Sequence, residues 1–125
     1  MDEQEFLSKP HRLLREILRN YESFKQVCEQ TGEFCLEYRL GETVIFIGLP
    51  EVESVKSCIL TGTGRVSLPE QHRRALLLNV FRDMTQKEVG AIIGGVKPVV
   101  VGQLVEVACE DLARQYFPDW YEETE

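Results

Sequence analysis

Four cysteines and two histidines are the residues best equipped to hold a metal ion or supply a nucleophile: Cys28, Cys35, Cys58, Cys109, His11 and His72. A zinc-finger site needs Cys-x-x-Cys or closely spaced histidines, so that the side chains converge on one ion. These six residues show no such spacing. Free, mostly buried thiols account for the cysteines, and neither a metal nor a disulfide is expected. Catalysis has no candidate either. No cysteine is tied in sequence to a histidine that would take its proton, and the carboxylates fall at helix caps or on surfaces. The chain reads as a protein without enzymatic activity, cofactor or small-molecule substrate.

The segment from Met84 to Leu112 points to a different chemistry, the reading of nucleic acid by amides and cations. Thr85-Gln86-Lys87-Glu88 is a capping box, with a hydroxyl at the cap and a carboxylate three residues on. It opens a short helix with Val89, Ala91, Ile92 and Ile93 as apolar positions, closed by Gly94-Gly95. A long helix then runs from Pro98 to Phe117, before Pro118. Two helices across a short glycine turn form a helix-turn-helix, whose second helix enters the major groove while the first crosses the backbone. In that frame Gln103 can read an adenine and Lys97 can meet a phosphate. Thr85, Gln86 and Lys87 start the first helix. Arg73 and Arg74, in the helix before, are further DNA-binding candidates.

Upstream, Ser67-Leu68-Pro69-Glu70 reads as another capping box, opening a helix through Ala75, Leu76, Leu77, Leu78, Val80 and Phe81. Together these residues resemble a known family. Leu68-Pro69-Glu70-x-x-Arg73-x-x-Leu76, then Thr85-x-x-Glu88-Val89-Gly90-x-x-Ile93-Gly94, then Ala108-x-x-x-Leu112 are similar to the fourth region of bacterial sigma factors. The resemblance covers residues 68–117 and nothing upstream. It implies a helix-turn-helix that engages promoter DNA, an RNA polymerase subunit, or both. The earlier sigma regions, which grip the polymerase and melt DNA, have no counterpart here, so the expectation is a regulator rather than a complete initiation factor.

The departures from that pattern fall in the reading helix. The match needs one extra residue in the turn, most simply Gly95, and Lys97 replaces the family's Ser or Thr cap. The groove-facing positions hold Pro98, Val99, Gly102, Gln103 and Glu106, and Glu106, Glu110 and Asp111 would repel phosphate. A buried stripe of Val101, Leu104, Val105, Ala108 and Leu112 uses up part of the apolar run. Val99, Val100 and Val107 remain, and an exposed apolar patch favours a protein surface over a DNA groove for this helix.

Charge agrees with that tension. The chain carries 14 basic and 21 acidic residues, net −7, the wrong sign for bulk attraction to nucleic acid. The candidate DNA-binding unit is balanced, and Asp119, Glu122, Glu123 and Glu125 concentrate acid in the tail. Trp120 and Tyr121 sit among these acids. They read either as aromatic anchors for a partner or as a clamp folding back on a small core, and the clamp is the simpler account.

These elements need a scaffold. Ser8 reads as the cap of one helix of about 20 residues, from Lys9-Pro10 to Thr31-Gly32. Its apolar face is Leu13, Leu14, Ile17, Leu18, Tyr21, Phe24 and Val27. Arg12, Arg15 and Arg19 form a row read as a solvated face. Phe34 to Leu40 and Thr43 to Ile47 flank Gly41-Glu42 as a β-hairpin. Glu51 and Glu53 favour a helix from Pro50 over a third strand at Ser57 to Leu60.

The resulting fold class is mainly α: an N-terminal helix and hairpin lobe (1–60), a linker (61–66), the helix-turn-helix (67–117) and an acidic aromatic tail (118–125). The acidic start and the lack of a long apolar run predict a cytoplasmic chain with no membrane contact. The leading expectation is a small transcription regulator. The alternative is an acidic protein-interaction module that kept the shape, lost DNA binding, and either forms a homodimer or inhibits a nucleic-acid-binding partner.

Overall fold

The computed structural model describes residues 1–122, so Glu123 to Glu125 of the acidic tail lie outside the described residues. The fold is mainly α. Its helices are α1 (Glu3–Ser8), α2 (His11–Arg19), α3 (Tyr21–Thr31), α4 (Leu49–Thr61), α5 (Glu70–Leu76), α6 (Gln86–Ile92) and α7 (Pro98–Tyr116). Strands β1 (Cys35–Leu40) and β2 (Thr43–Gly48) form the antiparallel hairpin, in the register Leu40 to Thr43 through Cys35 to Gly48. Among the described residues no helix is long and apolar enough to cross a membrane.

The N-terminal segment is three helices rather than the single one expected. Ser8 does not cap; its hydroxyl donates to the Glu5 carbonyl inside α1, and Asp2 caps α1 by accepting from the Glu5 N–H at 2.8 Å. Pro10 starts α2, because it has no N–H with which to continue α1. Asn20 breaks α2 from α3: its side chain donates to the Glu16 carbonyl, which competes with the helical ladder. Gly32, at φ 70°, ends α3 as the left-handed stop the sequence predicts. Glu3 ties α1 to the hairpin turn, accepting from the Glu42 and Thr43 N–H groups and the Thr43 hydroxyl at 2.7–2.9 Å.

The segment from Pro50 is helix α4. The expected capping box at Ser67 does not form. Helix α5 begins at Glu70 with Pro69 as its cap residue, and Glu70 turns its carboxylate to Arg73 instead. The helix then widens into a π-turn over Leu77–Phe81. Asn79 is buried there, donating to the Met84 carbonyl at 2.9 Å and accepting from Arg19 at 3.3 Å. The bend into α6 is thereby pinned at both ends.

Helix α7 is the hub. It packs on α2, α4, α5 and α6, and the buried side chains run as one cluster from Phe6 in α1 to Phe117. Val101, Val105, Ala108 and Leu112 are buried as expected, Leu104 is half-buried, and Cys109, Ala113 and Tyr116 join them.

Candidate nucleic-acid interface

The turn between α6 and α7 is built from local capping. Thr85 accepts from the Glu88 N–H at 3.2 Å, and Glu88 accepts from the Thr85 N–H at 3.1 Å, closing the predicted box. These bonds hold the Glu88 carboxyl below its usual range, the Thr85 backbone N–H contributing most. Gly94 and Gly95 both have positive φ, 122° and 74°, where side chains are strained. The Gly95 and Val96 N–H groups fold back onto the Gly90 carbonyl at 2.8 and 2.9 Å. Gly90 is buried beneath the turn, and a Cβ there would collide with the Val96 carbonyl oxygen. The small residue of the motif is a packing requirement.

Successive helical residues are about 100° apart, so one third of α7 can be read as a strip. Its outward strip is Val99, Glu110, Gln103, Arg114, Val107, Val100 and Asp111 in angular order. Val99 is 64% exposed and Val107 48%. The start of the strip is apolar around Gln103, and its end is charged. Lys97 is the cap residue of α7 and makes no side-chain cap bond, as expected from the loss of a hydroxyl there. Gly102 lies beneath Gln86: a Cβ on it would stand 3.0 Å from the Gln86 side-chain nitrogen. At Gly102 a larger residue would need only a small shift of the exposed Gln86 side chain.

Five of the sequence-predicted DNA-binding residues share one surface setting. Thr85, Gln86, Lys87, Lys97 and Gln103 are all exposed, at the N-terminal ends of α6 and α7. Arg73 is engaged elsewhere. Its guanidinium meets Glu70 at 2.8 and 3.1 Å and donates to the Ile59 carbonyl at 2.9 Å, joining α5 to the end of α4. Arg74 is half-buried. Trp120 and Tyr121 are half-buried against the chain's own residues. Trp120 stacks on Phe117 at 4.3 Å and meets Phe6 edge-on at 5.7 Å, and the Tyr121 ring lies 4.2 Å from the Arg114 guanidinium.

Sequence reasoning missed a polar cluster behind the interface. Glu106 does not face outward. Its carboxylate accepts from His11 Nε2 at 2.7 Å and from Arg12 at 3.3 Å, with Arg15 at 3.9 Å. The arginine row of α2 stays partly in water but also makes contacts across the fold: Arg12 and Arg15 reach Glu106 of α7, and the exposed Arg19 reaches Asn79. Partners this far apart in the chain leave no local spacing to find. Cys109 is fully buried beside this cluster, and burial pushes its thiol up to about 12, so it is no thiolate nucleophile at neutral pH.

No family model, curated protein or solved structure matches the chain.

Proposed function

We propose that this chain is a small cytoplasmic transcription regulator whose α6-turn-α7 unit, similar to sigma region four, docks on promoter DNA. The observation behind this reading is the shared exposure of Thr85, Gln86, Lys87, Lys97 and Gln103 at the starts of two helices joined by a tight turn. Helix-turn-helix proteins present this part to DNA: the start of the second helix meets base edges and the first helix meets the backbone. Gln103 is the side chain suited to a bidentate contact with adenine. Lys87 and Lys97 are the cations placed to neutralise phosphates.

Two phosphate contacts set a low salt dependence. The logarithm of affinity should fall against the logarithm of salt with a slope of about −2. A fluorescence titration of the protein on a random duplex pool, then on the sequences it enriches, measures this. Lys97→Glu should abolish binding with the fold unchanged, and Gln103→Ala should relax selection at one base position. Binding that survives Lys97→Glu would reject this docking mode.

A second reading rests on Val99, Val100 and Val107, exposed on the same strip and followed by Glu110 and Asp111. On that reading α7 contacts a protein, such as an RNA polymerase subunit, and DNA affinity is absent even at low salt. Val99→Lys separates the two: it should strengthen DNA binding on the first reading and abolish capture of the subunit on the second.

A further inference from the structure

We infer that two copies of this chain pair through the free edge of β1, as a two-fold antiparallel ladder centred on Tyr38. Among the described residues the sheet has two strands, so β1 has β2 on one side and no strand on the other. Backbone groups in an antiparallel pair point alternately toward and away from the partner. The two-residue turn makes Leu40 and Thr43 a bonded pair, and the Leu49 N–H donating to the Phe34 carbonyl at 2.7 Å marks the other end of the same alternation. Cys35, Glu37 and Arg39 therefore direct their N–H and C=O groups outward along the free edge. Edge strands are commonly blunted by proline, charged side chains or a bulge. β1 has no proline, its register runs unbroken from Cys35 to Leu40, and its two charged residues, Glu37 and Arg39, are of opposite sign.

The side chains select both the occupant and the register. Centring the two-fold on Glu37 would set Glu37 against its own copy, a destabilising contact. Centring it on Tyr38 sets Glu37 opposite Arg39 of the second copy, and Arg39 opposite the second Glu37. Both side chains are on the exposed face and already lie 3.4 Å from each other within the strand. The two copies then close a ring of alternating charge. On the other face Leu36 meets the second Leu40 and Tyr38 meets its copy. These three are only half-buried in the single chain although they belong to the hairpin's inner side, and the second strand supplies cover. The same patch meets itself on both copies, so the assembly closes at two.

This inference is independent of whether α7 binds DNA or protein. Sedimentation equilibrium of the full chain, from about 5 to about 500 µM, should show a monomer–dimer equilibrium. Arg39→Glu should weaken the dimer about tenfold or more, and the double variant Glu37→Arg/Arg39→Glu should restore it. Glu37→Pro should also abolish it, since that N–H is not part of the β1–β2 ladder. Circular dichroism of each variant checks that the hairpin and helices persist. A chain that stays monomeric throughout, a dimer indifferent to Arg39→Glu and Glu37→Pro, or a charge swap that restores nothing overturns the proposal.

Discussion

His11 and Glu106 lie 95 residues apart in the chain and 2.7 Å apart in the fold, across the contact between α2 and α7. His11 is buried, and Glu106 keeps about a quarter of its side chain in water. This pair, with Arg12 and Arg15 on the same carboxylate, fixes the N-terminal helices to the helix that carries the candidate interface. The pair adds a polar tie to the apolar packing that holds α7 against α2.

Removing that charge should be costly. Glu106→Gln keeps the shape and loses the charge-assisted bonds, which predicts a loss of about 1.5–3 kcal/mol in urea unfolding. The pH dependence has a definite sign. Burial raises the Glu106 carboxyl, but the hydrogen bond from His11 and the nearby charges of His11 and Arg12 outweigh it, leaving it below its ordinary 4.5. A depressed carboxyl contributes fully above its unfolded value and loses that contribution as pH falls through its folded value. The wild-type chain should therefore lose stability below pH 4.5, and Glu106→Gln should lack this part of the acid limb. An unchanged acid limb in the variant would count against the pair.

The glycine under the turn gives a second prediction. Gly90→Ala places a methyl group against the Val96 carbonyl, a backbone atom that cannot move aside without opening the turn. Overpacking of this kind costs about 1–3 kcal/mol. Gly95→Ala meets open space but keeps a positive φ, so its cost should be smaller, about 1 kcal/mol. Thermal unfolding of the two variants ranks them. Equal melting temperatures would contradict the close approach.

Local signals made the scaffold readable and non-local ones did not. The box at Thr85, the glycine stop at Gly32, the turn at Gly41-Glu42 and the apolar stripe of α7 each depend on residues a few places apart. Sequence alone therefore reaches them. The box at Ser67 has the same spacing but fails, because Arg73 claims Glu70 and the helix starts beyond Pro69. Apolar periodicity continues through Asn20, so the break between α2 and α3 is invisible to it. Thr85, Gln86, Lys87 and Lys97 sit at helix starts that local spacing reveals. The contacts of Arg73 with the end of α4, and those of the arginine row of α2 with Glu106 and Asn79, join distant parts of the chain and leave no trace in spacing.

Arg73 yields the third prediction. It is a bidentate partner of Glu70 and a donor to the end of α4, with little of its side chain in water. Lysine keeps the charge but has no planar fork to serve both partners. Arg73→Lys should cost about 1–2 kcal/mol of stability and leave any DNA affinity of the folded protein unchanged. Loss of affinity with stability intact would return Arg73 to the interface.

The aromatic end of the chain gives the last. Phe117, Trp120 and Phe6 form a contiguous set in which Trp120 is stacked on one ring and edge-on to the other. That arrangement holds the 3-10 turn Pro118–Tyr121 against α1, and so brings the two ends of the described chain together. Removing a buried tryptophan costs about 3–5 kcal/mol, and a half-buried one should cost about 2–3 kcal/mol. Trp120→Ala and Phe6→Ala should also be non-additive by about 0.5–1.5 kcal/mol, because each ring removes the other's partner. Trp120 is the chain's one tryptophan, so fluorescence of the wild type and Phe6→Ala reports directly on its surroundings. A clamp predicts a red-shifted spectrum in Phe6→Ala. A partner-docking tryptophan predicts a Trp120→Ala variant as stable as wild type, to within about 0.5 kcal/mol, and no coupling to Phe6.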